Sequence, residues 1–132
     1  MRVGIEKLDG IHPCVEDEPP PRSLLLNLFL ADADRNEDIY LAEIAKAEAG
    51  EPDVVIGNHA VWAIMSTAKV VLERMLPVEQ HANGTEPLRT EISLSAAKQL
   101  ILDWLAVKQR WHAEHREDKD SAAPAPVRSY PN

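Results

Sequence analysis

An apolar arc near the C-terminal end limits what this chain can fold into more than any other feature. Ala97, Leu100, Ile101, Trp104, Leu105, Val107 and Trp111 fall within about 160° of one another on a helical wheel. The stretch contains no Gly or Pro, and Ser93 or Ser95 stands ready as N-cap, so the spacing predicts an amphipathic helix running to about His115. A helix with one apolar face needs a surface to lie on. The rest of the chain has to supply it.

A second helix is predicted from Arg35 to Ala49. Asp34-Arg-Asn-Glu37 has the spacing of a capping box, and Gly50 supplies the left-handed stop. On its wheel Tyr40, Leu41, Ile44, Ala45 and Ala47 share one arc, while Asp38, Ala42, Glu43 and Lys46 lie outside it. Strands are expected around these helices. Arg2–Lys7 reads as an edge strand. Ile11–Arg22, with four prolines and an acidic triplet, reads as an irregular connection that excludes a helix and disfavours a central strand. The short apolar run Ser23–Ala31 fits a buried strand or a helical turn and a half, and the strand is preferred.

Gly57-Asn58 separates VVI from HAVWAIMS as a hairpin turn should, because both residues tolerate positive φ, and Ser66-Thr-Ala68 leads into a further strand over Lys69–Met75. Composition alone also permits a single helix over His59–Leu76, since that stretch has no Gly or Pro. Pro77–Pro87 is a loop and Arg89–Ile92 a short strand. From Glu117 onward the chain is polar, has three prolines and lacks apolar periodicity, so a disordered tail is expected over 117–132 after one domain over 1–116. The order of elements predicts an α+β fold, an antiparallel sheet of about four to five strands with two helices packed on it.

Charge is distributed unevenly. Residues 1–53 hold thirteen acids against five bases, while residues 54–132 hold nine of each, so the whole net charge of −8 arises in the first part of the chain. An acidic surface of this kind repels nucleic acid and attracts a basic partner. No apolar run reaches the roughly 18 residues of a membrane span and the N-terminus lacks a signal pattern, so a cytoplasmic protein is expected.

Chemistry-bearing residues are sparse. Cys14 is alone, which excludes an internal disulfide and a cysteine metal cluster. His112 and His115 could share a metal, but no third ligand is spaced to join them, and histidines in a last helical turn suit the helix dipole. His12 and Cys14 flank Pro13 and would form an activated thiolate only if ring and sulfur converged. Trp62, Trp104 and Trp111 read as core or core-edge residues. The patterns GxxxxGKS/T, GxSxG, HExxH and CxxC do not occur, so neither an enzyme nor a cofactor or metal site is expected. The acidic set is the remaining candidate. Asp34, Glu37 and Asp38 suit a helix N-terminus, which leaves Asp32, Glu43, Glu48, Glu51 and Asp53 without that explanation.

The succession NLFLADAD, DIYLAEIAKAEAGEP, the GN turn with two strands, then TEISLSAAKQLILDWLAVK, resembles the small immunity proteins of bacterial contact-dependent growth inhibition and related polymorphic toxin systems. The likeness spans Leu24 to Lys108, on Leu41, Ile44, Gly50-Glu51, Gly57-Asn58, Leu100 and Trp104. It implies a protein that binds and blocks a toxin domain, often a nuclease. Because such proteins diverge at the binding surface, contacts are assigned from charge alone to Asp32, Asp34, Glu37, Asp38 and Glu43, with Asn58 and His59 at the hairpin tip. The alternative is an accessory or assembly subunit of a larger complex, its acidic face merely solubilising.

Overall fold

The structure, a computed structural model, describes residues 1–57, 60–74 and 88–115. The expected loop at 77–87, the hairpin tip Asn58-His59 and the expected tail at 117–132 lie outside the described residues. In chain order the elements are β1 (Val3–Lys7), β2 (Ile11–Val15), α1 (Arg22–Arg35), α2 (Glu37–Glu48), β3 (Val54–Gly57), β4 (Val61–Met65), β5 (Lys69–Arg74), β6 (Arg89–Ser93) and α3 (Leu94–Glu114). The fold is α+β. It has a four-stranded antiparallel sheet in the order β3-β4-β5-β6 and a separate β1–β2 hairpin.

Two expectations fail at the N-terminal end. Ile11–Val15 is a strand, pairing with β1 from Val3↔Val15 to Lys7↔Ile11. Pro13 is tolerated because N–H directions alternate along a strand. The Val15 N–H, two residues on, is accepted by Asn27 Oδ1 of α1 at 2.8 Å, so the nitrogen of Pro13 also faces away from the ladder. The turn is made by Asp9 (φ 52°) and Gly10 (φ 110°), an Asp-Gly pair in the conformation a tight hairpin demands.

Ser23–Ala31, in turn, is helical rather than extended. Leu25, Leu26, Phe29, Leu30 and Ala33 form one buried stripe at helical spacing, and α1 reaches β2, β4, β5, β6 and both other helices. A helix walled in on most sides is apolar nearly all round, which hides its period. The described residues therefore hold three helices, not two. The break between α1 and α2 is Asn36, which lies at φ −138° and sends its side-chain N–H to the Asp32 carbonyl.

The hairpin reading of the middle segment is the observed one, not the single helix: Val54↔Met65 through Gly57↔Trp62, then Val61↔Arg74 through Met65↔Val70. Gly57 is needed for space and not for positive φ. A Cβ there would come within 2.5 Å of the Val61 carbonyl oxygen. Alternation in β4 turns Val61, Ala63 and Met65 to the helices and leaves Trp62 and Ile64 on the open face, so Trp62, 39% exposed, is not a core residue. Trp104, 1% exposed, is at the centre of the core with Phe29, Tyr40, Ile44 and Leu72. On α2, Tyr40, Ile44 and Ala47 are buried and Leu41 is half-buried, but Ala45 is exposed. Gly50 ends α2 at φ 88°, with its N–H on the Ala47 carbonyl and that of Glu51 on the Lys46 carbonyl. Ser93 caps α3, its Oγ accepting from the Ala96 N–H at 3.0 Å.

Candidate partner-binding surface

The acids expected to face a partner divide into two groups. Asp34 is not a helix cap. It lies in the last turn of α1, where its Oδ1 accepts from Trp104 Nε1–H at 2.8 Å and from Lys108 Nζ at 2.7 Å. Burial, the largest single influence, pushes the Asp34 pKa up. The hydrogen bonds from Lys108 and Trp104, with the charges of Lys108 and Arg35, outweigh it and hold the carboxyl below its ordinary value. Lys108 is the counterpart: burial lowers its pKa, but Asp34 and Glu37 together raise it. Glu37 reaches Lys108 at 3.4 Å, and at the other end of α2 Glu48 reaches Lys98 at 3.3 Å. These two pairs run in opposite order along the two helices, so α2 lies antiparallel to α3. Asp32 accepts from the Tyr40 hydroxyl, whose pKa is raised by burial and then by the neighbouring carboxylate.

Thus Asp32, Asp34 and Glu37 connect α1, α2 and α3 to one another. They are half-buried structural groups more than free surface charge. Glu43 pairs with Lys46 at 2.7 Å on the flank of α2. Among the described residues, Asp38 stands exposed with no ion pair, as do Glu51 and Asp53 at the entry to β3 and Glu6 and Asp9 on the β1–β2 hairpin. Of the seven residues expected at the partner surface, Asn58 and His59 lie outside the described residues and only Asp38 keeps an unpaired charge in solvent. Glu51 and Asp53, which are not among the seven, are exposed like Asp38.

Cys14 is half-buried, and burial followed by the charges of Glu6 and Glu16 pushes its thiol pKa up, the reverse of activation. The His12 ring is bonded to the Leu8 carbonyl at 2.7 Å. His115 stacks on Trp111 with ring centres 4.1 Å apart, and His112 meets the same ring edge-on. Among the described residues no group of three His, Cys, Asp or Glu side chains is placed to hold a metal, and no helix is long and apolar enough to cross a membrane.

A second exposed surface is apolar. On the open face of the sheet, Val55, Ile64 and Val71 are paired in one row across β3, β4 and β5, with Trp62 in the next row. Val55, Trp62 and Ile64 are each about 40% exposed, between 39% and 42%. The ion pairs Lys69–Glu91 and Arg89–Glu73 border them. Strict alternation in VWAIM was the available signal for Trp62 and Ile64.

No family model matches the chain, and neither a characterised protein nor a solved structure matches it.

Proposed function

We propose that this chain is a non-catalytic binding protein whose acidic part seats a basic partner, and that the partner is a bacterial toxin domain, the role implied by the likeness to immunity proteins. The observation that carries the reading is the uneven distribution of charge along the chain. The excess of eight acids arises in residues 1–53, which build β1, β2, α1 and α2, and the residues that build the four-stranded sheet and α3 belong to a balanced segment. Among the described residues, Asp38, Glu51 and Asp53 of this part are exposed and without an ion pair. Such charges act on association rate before they act on affinity. A nuclease surface that holds phosphates is basic and complements them.

The test is coexpression with the product of the adjacent reading frame, followed by measurement of association. A one-to-one complex is expected, with an on-rate that falls steeply as salt is added. Asp38→Lys combined with Glu51→Lys should slow association about tenfold at low salt and flatten the salt dependence. A complex whose rate ignores both salt and these substitutions would overturn the charge-based mechanism.

The alternative reading, an accessory subunit, draws on the open sheet face. Exposed Trp62 beside Ile64 and Val55, rimmed by ion pairs, has the make-up of a contact site. Copurification with a large assembly, lost in Trp62→Ala, would favour it.

A further inference from the structure

A cleft of about 470 Å³ opens between the β1–β2 turn, Lys7 to Ile11 with Asp9 among its lining, and the last turn of α3, which contributes Trp111 and His112. The volume is in the range of small-molecule sites. Its walls are chiefly apolar. Leu8 is 69% exposed, more than any other large apolar residue described, and Ile11 and Trp111 are half-buried.

Two polar groups here lack the partners their counterparts have. Among the described lysines, Lys46, Lys69, Lys98 and Lys108 each pair with a carboxylate; Lys7 does not. Its ammonium instead lies 5.8 Å from the centre of the Trp111 ring. The Trp111 indole N–H is buried and has no acceptor, whereas the Trp104 indole N–H is taken by Asp34. A buried donor without an acceptor is an uncommon arrangement.

From this combination we propose that the cleft binds a small aromatic carboxylate. Lys7 would receive the anion at the rim, and Leu8, Ile11 and Trp111 would enclose the apolar ring. His112 would stand beside the carboxylate as a further hydrogen-bonding group. Asp9 opposes an anion, but it lies beyond ion-pair distance of Lys7 and leaves the ammonium unneutralised. Asp38, Glu51 and Asp53, the acids named above for a basic partner, do not line the cleft.

The probe is 2-naphthoate, with neutral 2-naphthamide as its control, titrated into the full chain while amide and indole NMR signals are followed. Naphthoate is expected to shift Leu8, Gly10, Ile11, His112 and the Trp111 indole signal, and to bind about tenfold more tightly than the amide. Lys7→Gln should remove that preference and leave amide binding unchanged. Equal affinity for acid and amide would overturn the proposal, as would shifts centred on Trp62 and Ile64 or no shifts up to the solubility limit. Circular dichroism checks that Lys7→Gln is folded; if it is not, the acid-to-amide ratio on the unsubstituted chain decides alone.

Discussion

The two faces of the four-stranded sheet use similar residues in opposite ways. On the covered face Val54, Val61, Ala63, Met65, Val70 and Leu72 are closed off by three helices, and the deepest tryptophan, Trp104, has both its ring buried and its N–H bonded. On the open face Val55, Trp62 and Ile64 keep about two-fifths of their surface in solvent. Val71 is the exception, 6% exposed although it is outside the main core cluster. A polar network explains part of the contrast. Asp34 and Lys108 lock the helices onto the covered side, whereas the charges of the open side form peripheral pairs worth little to stability. Apolar surface is therefore structural on one face and available for contact on the other.

The sharpest way to break this comparison is truncation of the two tryptophans. Trp104→Ala should cost about 3–5 kcal/mol in denaturant unfolding, since it opens a cavity and removes one of the two donors to Asp34 Oδ1. Trp62→Ala should cost about 1 kcal/mol or less on the same measure, because much of its ring is already hydrated. Comparable losses would mean that the open face is structural too.

Next in size is Asp34→Asn. An amide still accepts from Trp104 but leaves half-buried Lys108 with Glu37 alone, and the expected loss is about 1–3 kcal/mol at neutral pH. The folded carboxyl titrates below its ordinary value of 3.8, so its stabilisation is whole above the unfolded pKa and disappears as pH falls through the folded one. Stability curves of the two proteins should accordingly converge below about pH 4. A constant gap down to pH 2 would show that shape, and not charge, is what the position requires.

The smallest effect belongs to Asp38→Lys. The residue is exposed and without an ion pair, so its melting midpoint should stay within the change produced by about 0.5 kcal/mol. A larger destabilisation would place Asp38 among the structural acids and remove it from the proposed contact surface.

Sequence pattern and structure coincide most closely where a backbone requirement is local. Alternation in VWAIM, the glycine stop at Gly50 and the serine cap at Ser93 each express a backbone requirement met within a few residues. Asp9-Gly10 carries a turn signal for the β1–β2 hairpin, but the prolines of Ile11–Arg22 read as an irregular connection because the non-ladder side of β2 is invisible in one dimension. Which acids the fold pairs is hidden in the sequence for a related reason. Asp34 and Trp104 are seventy residues apart, and no spacing rule places an indole N–H against a carboxylate at that separation.

By itself, then, the sequence determined the class of fold, the amphipathic last helix, the middle hairpin and the acidic imbalance, since periodicity, turn chemistry and charge are local or summed properties. Only the tertiary structure decided that Ser23–Ala31 is helical, because a helix packed on several sides loses the polar stripe that would mark its period. It also decided which acids are free. A carboxylate becomes structural or available according to the cation and donor that the fold brings to it, as Lys108 and Trp104 come to Asp34 while nothing described comes to Asp38.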